Sequence, residues 1–564
     1  MIIDILKNIL TDAFKNAGYN TNCMVVVSNR PELCDYQCDD AFKLAKVYHE
    51  APFIIANKVI DNLKQNEDLK KYFKLVEVAN PGFINLTLSD YLINDTLNSF
   101  LTKEHFGLKT ANPLKYFLDY GGPNVAKPLH VGHLRSAVVG ESIKRIIEYA
   151  GNKTISDVHL GDYGLQIGEV IYGLKERGVN PAGVTLELLE EIYPNISARC
   201  KEDERLKEEC AEITKQLQDG NEEYKEYWKP ILAISKGDIK RLYDYLGVHF
   251  DIWNGESEAY EYLPGLFEKY STNGKLIKSE GAYIIPVAKE TDSKELPPLI
   301  FRKSNGAYLY GSTDIATVFE REQKYSPDKY VYIADLRQSL HFEQFFRACD
   351  ILEIAKKEKF IYCGFGTVNG SDGKPFKTRV GDSPKLDSLF KQVKEVLIKN
   401  RPDNSFKEED LDILVNAVIK FADLQNNREK EYIFDIEKFS KISGKTGPYI
   451  LYTYLRLSKI LANENIDKAC FSSKISNEYE RKLKLSLLNL HKSFSVAYDE
   501  FLPSYICDFL FELCNTANTF YEQNRIKNEN DLATKNSWLK LIKITTSVIK
   551  EMLGLLIIDI PSIM

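Results

Sequence analysis

No stretch of this 564-residue sequence is long and apolar enough to read as a membrane span. The longest apolar runs, such as Leu553 to Ile557, fall far short of about 20 residues. The opening MIIDILKNIL places Asp4 inside its apolar run and has no basic lead-in. It reads as an amphipathic helix, not a signal peptide. Cysteine is present ten times but scattered, with no CxxC. Only Cys34 and Cys38 stand close, and no histidine-rich partner accompanies them. Reduced, buried thiols are therefore expected, and no zinc. Excess positive charge is also missing: 74 basic against 81 acidic residues give −7. That excludes a globally basic nucleic-acid binder but not a local basic face. Glycine is absent from Leu451 to Leu553, where Pro503 is the lone proline. No internal repeat or low-complexity tract breaks the chain.

What is present is ordinary globular composition, 44% hydrophobic and 27% charged. At about 150 residues per domain the length allows roughly four domains, or two or three larger ones. Ala41 to Leu63 has helical periodicity interrupted at Pro52, and Leu75 to Leu88 alternates around a Pro81-Gly82 turn. KYFLDY (115–120) reads as a buried strand, GGPNVAKP as a loop, and LRSAVVGESIKRIIEYAG as a helix closed by Gly151. Strand signals recur at Thr154–Val158, Ala282–Val287, Leu299–Arg302, Ala307–Tyr310, Tyr330–Ala334 and Lys359–Cys363. Helical segments separate several of them, the pattern of a mostly parallel sheet. Residues 184–227 insert a charged helical segment, read as a solvated face. The glycine-free C-terminal stretch, with apolar residues at helical spacing, predicts an all-helical domain.

The unit from Lys115 to Gly151 carries the chemistry. A strand ends at Asp119, a Gly-rich turn bears Asn124 and Lys127, and His130-Val131-Gly132-His133 opens a helix. Ligands of open α/β sheets bind beyond the carboxyl ends of the strands. A helix N-terminus there offers free N–H groups and positive potential to phosphates. The two histidines can reach one anion, and Gly132 leaves room for a nucleotide base. A metal site or a simple helix cap would use the same histidines, but no third ligand lies nearby in sequence.

DYGGPNVAKPLHVGHLRS (119–136) resembles the ATP-binding signature of the arginyl-tRNA synthetases, class I enzymes with the HIGH-type motif. The resemblance continues through HLGDYGLQIG (159–168), Trp228 to Ser257, YGSTDIA (310–316) and RQSLHFEQFF (337–346). It extends through GFGTVNGSDGKPFKTRVGD (364–382), ADLQNNREKEYIFD (422–435) and TGPYILYTYLR (446–456), with CDYQCDDA and NPGFINL near the start. It covers essentially the whole chain. It implies a Rossmann-like parallel-sheet catalytic domain (109–385, helical insertion about 184–255). An α+β N-terminal domain (1–108) precedes it and an α-helical region (386–564) follows, with an anticodon-binding part at about 440–564.

The same resemblance implies site roles. Lys127, His130, Gly132, His133, His341, Lys374 and Lys377 fall on ATP, with Lys127, His130, His133 and Lys377 catalytic. Lys374-Pro375-Phe376-Lys377-Thr378 is a degenerate version of the family's mobile lysine loop, and Lys127 compensates. A guanidinium substrate calls for carboxylates. Tyr310, Asp314, Asp119 and Gln338 line its pocket by similarity, and Asn124 holds its backbone end. A helix-initiating role is the alternative for Asp314, and Asp119 replaces the family's usual Glu. On tRNA(Arg), Asn80, Phe83 and Asn85 fall at the D-loop side. Tyr449, Tyr452 and the chain end near Met564 fall at the anticodon. ATP and arginine with Mg²⁺ are the implied small partners of a cytoplasmic monomer. A lysine-specific class I synthetase and a non-catalytic tRNA-binding paralogue are the rivals.

Lys127→Ala is expected to lower adenylation at least as much as Lys377→Ala, measured by tRNA-dependent pyrophosphate exchange. A critical Lys377 beside a dispensable Lys127 would refute the compensation.

Overall fold

The computed structural model describes residues 2–65, 71–294, 296–370, 373, 385–400, 407–466 and 469–564. Near the N-terminus four short strands, β1 (Val26–Val27), β2 (Tyr36–Cys38), β3 (Phe73–Ala79) and β4 (Phe83–Leu88), form an antiparallel sheet in the order β1-β2-β4-β3. The Pro81-Gly82 turn joins β3 to β4, and Pro52 begins a helix (Pro52–Gln65) where the periodicity breaks. Proline is tolerated there because the first helical N–H has no intrahelical acceptor.

The central sheet is parallel and small. β5 (Lys115–Tyr120), β6 (Lys153–Asp157), β10 (Lys329–Ile333) and β11 (Phe360–Tyr362) lie in the order β11-β10-β5-β6. Between β6 and β10 in sequence come β7 (Ile277–Ser279), β8 (Ala282–Ile285) and β9 (Leu299–Arg302), and after β11 the short parallel pair β12 (Val368–Asn369) and β13 (Tyr432–Ile433). From β5 the chain crosses through the signature helix Val131–Tyr149 to β6 on one side, while β10 enters on the other. The crevice between β5 and β10 is thus a topological switch point, where such sheets bind ligands.

Two expectations need correction. β8 and β9 are not in the parallel sheet; with β7 they make a separate antiparallel sheet. The reason is the two-residue turn Glu280-Gly281, both residues at positive φ, which returns the chain as a hairpin. A parallel neighbour would have required a long crossover. The strand expected at Ala307–Tyr310 reduces to one bridge, Arg302 to Tyr308, and Tyr310 opens the pocket helix Tyr310–Lys324.

Three helices, Leu186–Glu202, Glu204–Gln218 and Glu222–Tyr245, form the insertion. Beyond β13 the described elements of the C-terminal part are all helices, with starts fixed by side-chain caps: Thr446 Oγ1 accepts from Tyr449 N at 3.2 Å and Asp531 from Thr534 N at 2.9 Å. Its terminal helix, Leu532–Leu555, ends against the signature helix. Ser142 Oγ donates to Leu555 O at 2.8 Å, Arg145 to Gly554 O at 2.9 Å, and buried Lys420 to Ile557 O at 2.7 Å. Unpaired carbonyls at a helix C-terminus attract donors and positive charge, which is what these side chains supply. The N-terminal domain is tied to the same helices by Arg481, which donates to Asp35 at 2.6 Å and to Leu88 O at 3.0 Å. Among the described residues no helix is long and apolar enough to cross a membrane.

Gly140 lies inside the signature helix where Tyr120 of β5 packs: a Cβ there would sit 2.3 Å from the Tyr120 ring. Tyr120 is fully buried and hydrogen-bonded to Glu141 at 2.8 Å, so it has no room to move. Gly140→Ala is therefore expected to destabilise by about 1–3 kcal/mol despite the better helix propensity of alanine. An unchanged denaturation midpoint would contradict this packing.

Candidate active site

At the carboxyl end of β5 the signature loop is pinned to the chain beyond β6: Val125 N donates to Gly161 O at 3.0 Å, and Gly161 N to Pro123 O at 3.1 Å. Asn124 is exposed, with its Oδ1 3.4 Å from Gln166 Nε2. Lys127 is half-buried, its Nζ 5.0 Å from the centre of the Tyr193 ring of the insertion. His130 is the N-cap of the signature helix. Its Nδ1 accepts from Gly132 N at 3.1 Å, and His133 Nδ1 accepts from His130 N at 3.2 Å, so the two histidines cap the helix reciprocally.

That cap has a chemical consequence. A neutral imidazole that accepts at Nδ1 carries its proton on Nε2. Burial lowers the pKa of both rings, with Lys127 adding to the effect at each and His130 adding at His133, which falls to about 3. Both rings are therefore neutral at physiological pH and present Nε2–H donors. Their centroids are 3.9 Å apart. At Gly132 a Cβ would lie 2.9 Å from Cε1 of His130, so the missing side chain makes room for the histidine cap.

Lys374 and Lys377 lie outside the described residues. The described chain resumes at Lys385, which bridges His130. The segment before them is held by Arg135 of the signature helix, which is sealed from solvent. Its guanidinium donates to Gly366 O at 2.5 Å and Lys430 O at 3.1 Å and pairs with Asp423 at 3.1 Å.

The pocket helix and the helix Ser339–Ile351 bring Tyr310, Asp314 and His341 together. Asp314 Oδ2 is 2.6 Å from His341 Nε2, and the Tyr310 ring stands edge-on to His341 at 4.6 Å. Asp314 is the fifth residue of its helix, after the N-cap Leu309, so it does not initiate it. Gln338 is exposed in the turn before Ser339.

Sequence reasoning missed the groups behind this wall. Asp119 pairs with Arg321 of the pocket helix: Nη1 is 2.8 Å from Asp119 Oδ2, and Nη2 is 2.6 Å from Asp157 Oδ2. Asp119 and Asp157 are register partners at the ends of β5 and β6. His159 follows in the left-handed region, φ 42°, its Nδ1 3.6 Å from Asp157. Burial favours the neutral imidazole, but Asp157 and Asp119 outweigh it and raise its pKa to about 9. Burial would likewise raise Asp157, yet His159 and Arg321 bring it down to about 2. Burial pushes the Glu256 carboxyl up to about 7 against the opposing His159, with Asp314 and Asp162 adding to the rise. One signal was legible: Tyr310, Asp314, Thr317 and Arg321 form a single helical stripe.

Three family models match in order: the arginyl-tRNA synthetase N-terminal domain over residues 1–88, the catalytic domain of class I (R) tRNA synthetases over 96–436, and the DALR anticodon-binding domain over 450–564. An arginine–tRNA ligase of Agathobacter rectalis is 40% identical over 99% of this chain and 99% of its own. The chain belongs to the arginyl-tRNA synthetase family. One from Alkaliphilus oremlandii is 40% identical over 100% and 99%. Among solved structures, the arginyl-tRNA synthetase of Plasmodium falciparum superposes with a TM-score of 0.82 at 25% identity, covering 100% of this chain and 99% of that one. That of Thermus thermophilus shares the fold, with a TM-score of 0.80 at 20% identity over 100% of both chains.

For a synthetase, the expected RNA contacts need revision. Asn80 is exposed and Phe83 half-buried against Phe42, ring centres 4.8 Å apart. Asn85, expected to read a base edge, is 3% exposed, and its Oδ1 accepts from Gln37 at 2.8 Å. Tyr449, expected exposed, is half-buried; its hydroxyl donates to Asn515 at 2.7 Å and accepts from Asn518 at 3.0 Å. Helical phase decides this: Tyr449 and Thr453 face the helix Ser504–Gln523, while Tyr452 is exposed. Met564 shares a cleft with Lys441 and with Pro448, the neighbour of Tyr449 in sequence. Cys38 lies beside Cys23 and Asp40 rather than Cys34; their donor atoms lie within 4.8 Å of one another, and Lys43 sits 2.9 Å from Asp40.

Folding raises the His159 pKa from 6.5 to about 9. The stability it contributes is then fully present below 6.5 and is lost as pH rises through about 9. Asp157 runs the other way, from 3.8 to about 2, so its share is present above 3.8 and lost as pH falls through about 2. Melting temperatures of wild type should fall from pH 6.5 to 9 more steeply than those of His159→Gln. Parallel profiles would show that His159 is uncharged in the fold.

Proposed function

We propose that the chain is a monomeric, cytoplasmic arginine–tRNA ligase using the site built around the histidine cap. The arginine carboxylate attacks the α-phosphorus of ATP, pyrophosphate leaves, and the acyl group of arginyl-adenylate passes to the 2′-hydroxyl of the terminal adenosine of tRNA(Arg). Charge builds on the phosphoryl oxygens in the first step, so fixed donors at those oxygens supply most of the catalysis. The observation that supports this best is the reciprocal cap, which holds two neutral Nε2–H donors at a helix N-terminus beside Lys127. His341, held by Asp314, is assigned to ATP as well, and Lys374 and Lys377 complete the reading from outside the described residues. Among the described residues, the three-member group of ligating side chains is Cys23, Cys38 and Asp40 in the N-terminal domain. Mg²⁺ is assigned to the phosphates of ATP, the ligands this hard cation favours in nucleotide sites.

In this reading Tyr310, Asp314 and Asp119 take the substrate guanidinium, Gln338 assists, and Asn124 takes the backbone end. Asn80, Phe83 and Tyr452 face tRNA; Asn85 and Tyr449 shape the surfaces around them. Charging of total tRNA with a panel of amino acids tests the whole assignment. Arginine alone should be transferred, and lysine charging would reject it.

Asp314→Asn keeps the hydrogen bond to His341 and removes the charge. A hydrogen bond to a charged group contributes about 1.5–3 kcal/mol, so the arginine KM should rise about tenfold to a hundredfold. The ATP KM and the melting temperature should hold. A lower melting temperature with an unchanged arginine KM would make Asp314 structural.

A further inference from the structure

The carboxyl edge of the parallel sheet carries more negative charge than one substrate guanidinium requires. Asp119 and Asp157 stand side by side in register, and Glu256 and Asp162 lie close enough to interact with His159 beside them. A cationic substrate meeting these groups unpaired would find several competing seats. The structure resolves the competition from inside. The Arg321 guanidinium bridges Asp119 and Asp157, approaches the Tyr332 hydroxyl at 3.3 Å, and stacks over the Phe117 ring at 4.4 Å. Exposure then decides direction: the side chains of Arg321 and Asp157 are 3% and 2% exposed, that of Asp119 18%. Of the three, Asp119 alone keeps appreciable exposure.

We propose that Arg321 is a positioning residue for arginine selection. It neutralises Asp157 and holds Oδ2 of Asp119, so that the remaining Asp119 oxygen and Asp314 become the pair offered to the substrate guanidinium. The inference rests on the reading in which Asp119 and Asp314 line the arginine site. Arg321 touches no substrate; it acts through Asp119. Its place on the same helical stripe as Tyr310 and Asp314 makes one rigid element carry both the reader and the support of its partner carboxylate. A planar fork satisfies two carboxylates and an aromatic face at once, which the point charge of a lysine cannot do.

Arg321→Lys, Asp119→Asn and the double variant in the full-length protein test this, with arginine KM, ATP KM, kcat and melting temperature measured for each. A small misplacement of a binding group costs up to about a hundredfold, so Arg321→Lys should raise the arginine KM about tenfold to a hundredfold, with the ATP KM unchanged. Asp119→Asn should do likewise, and the double variant should be little worse than either single, because both remove the same contact. A wild-type arginine KM in Arg321→Lys, with a raised one in Asp119→Asn, overturns the positioning role and leaves the site reading intact. An unchanged arginine KM in Asp119→Asn removes the site reading, and the proposal with it. Should Arg321→Lys fail to fold, the isosteric Asp157→Asn loosens the same guanidinium from its other side and is judged by the same constants.

Discussion

Two carboxylates placed side by side in a dry interior cannot both stay ionised without a cation between them. Parallel pairing of β5 and β6 creates that situation at Asp119 and Asp157, and the guanidinium of Arg321 resolves it. Much of the candidate site follows from this ion pair. It fixes the pocket helix against the sheet and keeps Asp157 charged. Against burial and the nearby Arg321 charge, the two carboxylates also raise the pKa of His159. The cation of the triad is supplied by the same helix that carries Asp314, so the pocket is assembled as one piece.

The ATP side rests on different physics. A helix N-terminus has N–H groups with no partner, and here histidines rather than serine or aspartate meet them. The arrangement turns a local capping need into two oriented imidazoles. Behind it, Arg135 links the signature helix to the backbone at Gly366 and Lys430, and the end of the terminal helix is held by Ser142, Arg145 and Lys420. The signature helix is therefore in direct contact with the helical domain that matches the family's anticodon-binding model.

Lys420 shows the cost of that junction. It is fully buried, donates to a helix-end carbonyl, and burial lowers its pKa to about 7, with Asp559 opposing. Replacing it with an apolar residue would leave the Ile557 carbonyl without this donor. The polar ties of Arg481 to Asp35 and Leu88 do the same work between the N-terminal sheet and the helical domain.

The local features were legible because their causes are local. The break at Pro52, the hairpin around Pro81-Gly82, the helix closed by Gly151 and the glycine-free helical domain all follow from neighbours in sequence. So did the grouping of His130 with His133, which are three residues apart and share one helix end. What the sequence could not reveal is what depends on distant partners. β8 and β9 looked like members of the parallel sheet, because a strand's residues do not say which edge it will meet. Asn85 and Tyr449 looked available to RNA, but side-chain type does not state burial, and each is turned inward onto polar partners. Asp119, at the end of a strand, was expected in the pocket from the resemblance. That one of its oxygens belongs to Arg321 was decided only when the fold brought helix and strand together, since a buried charge takes whichever opposite charge the tertiary structure places beside it.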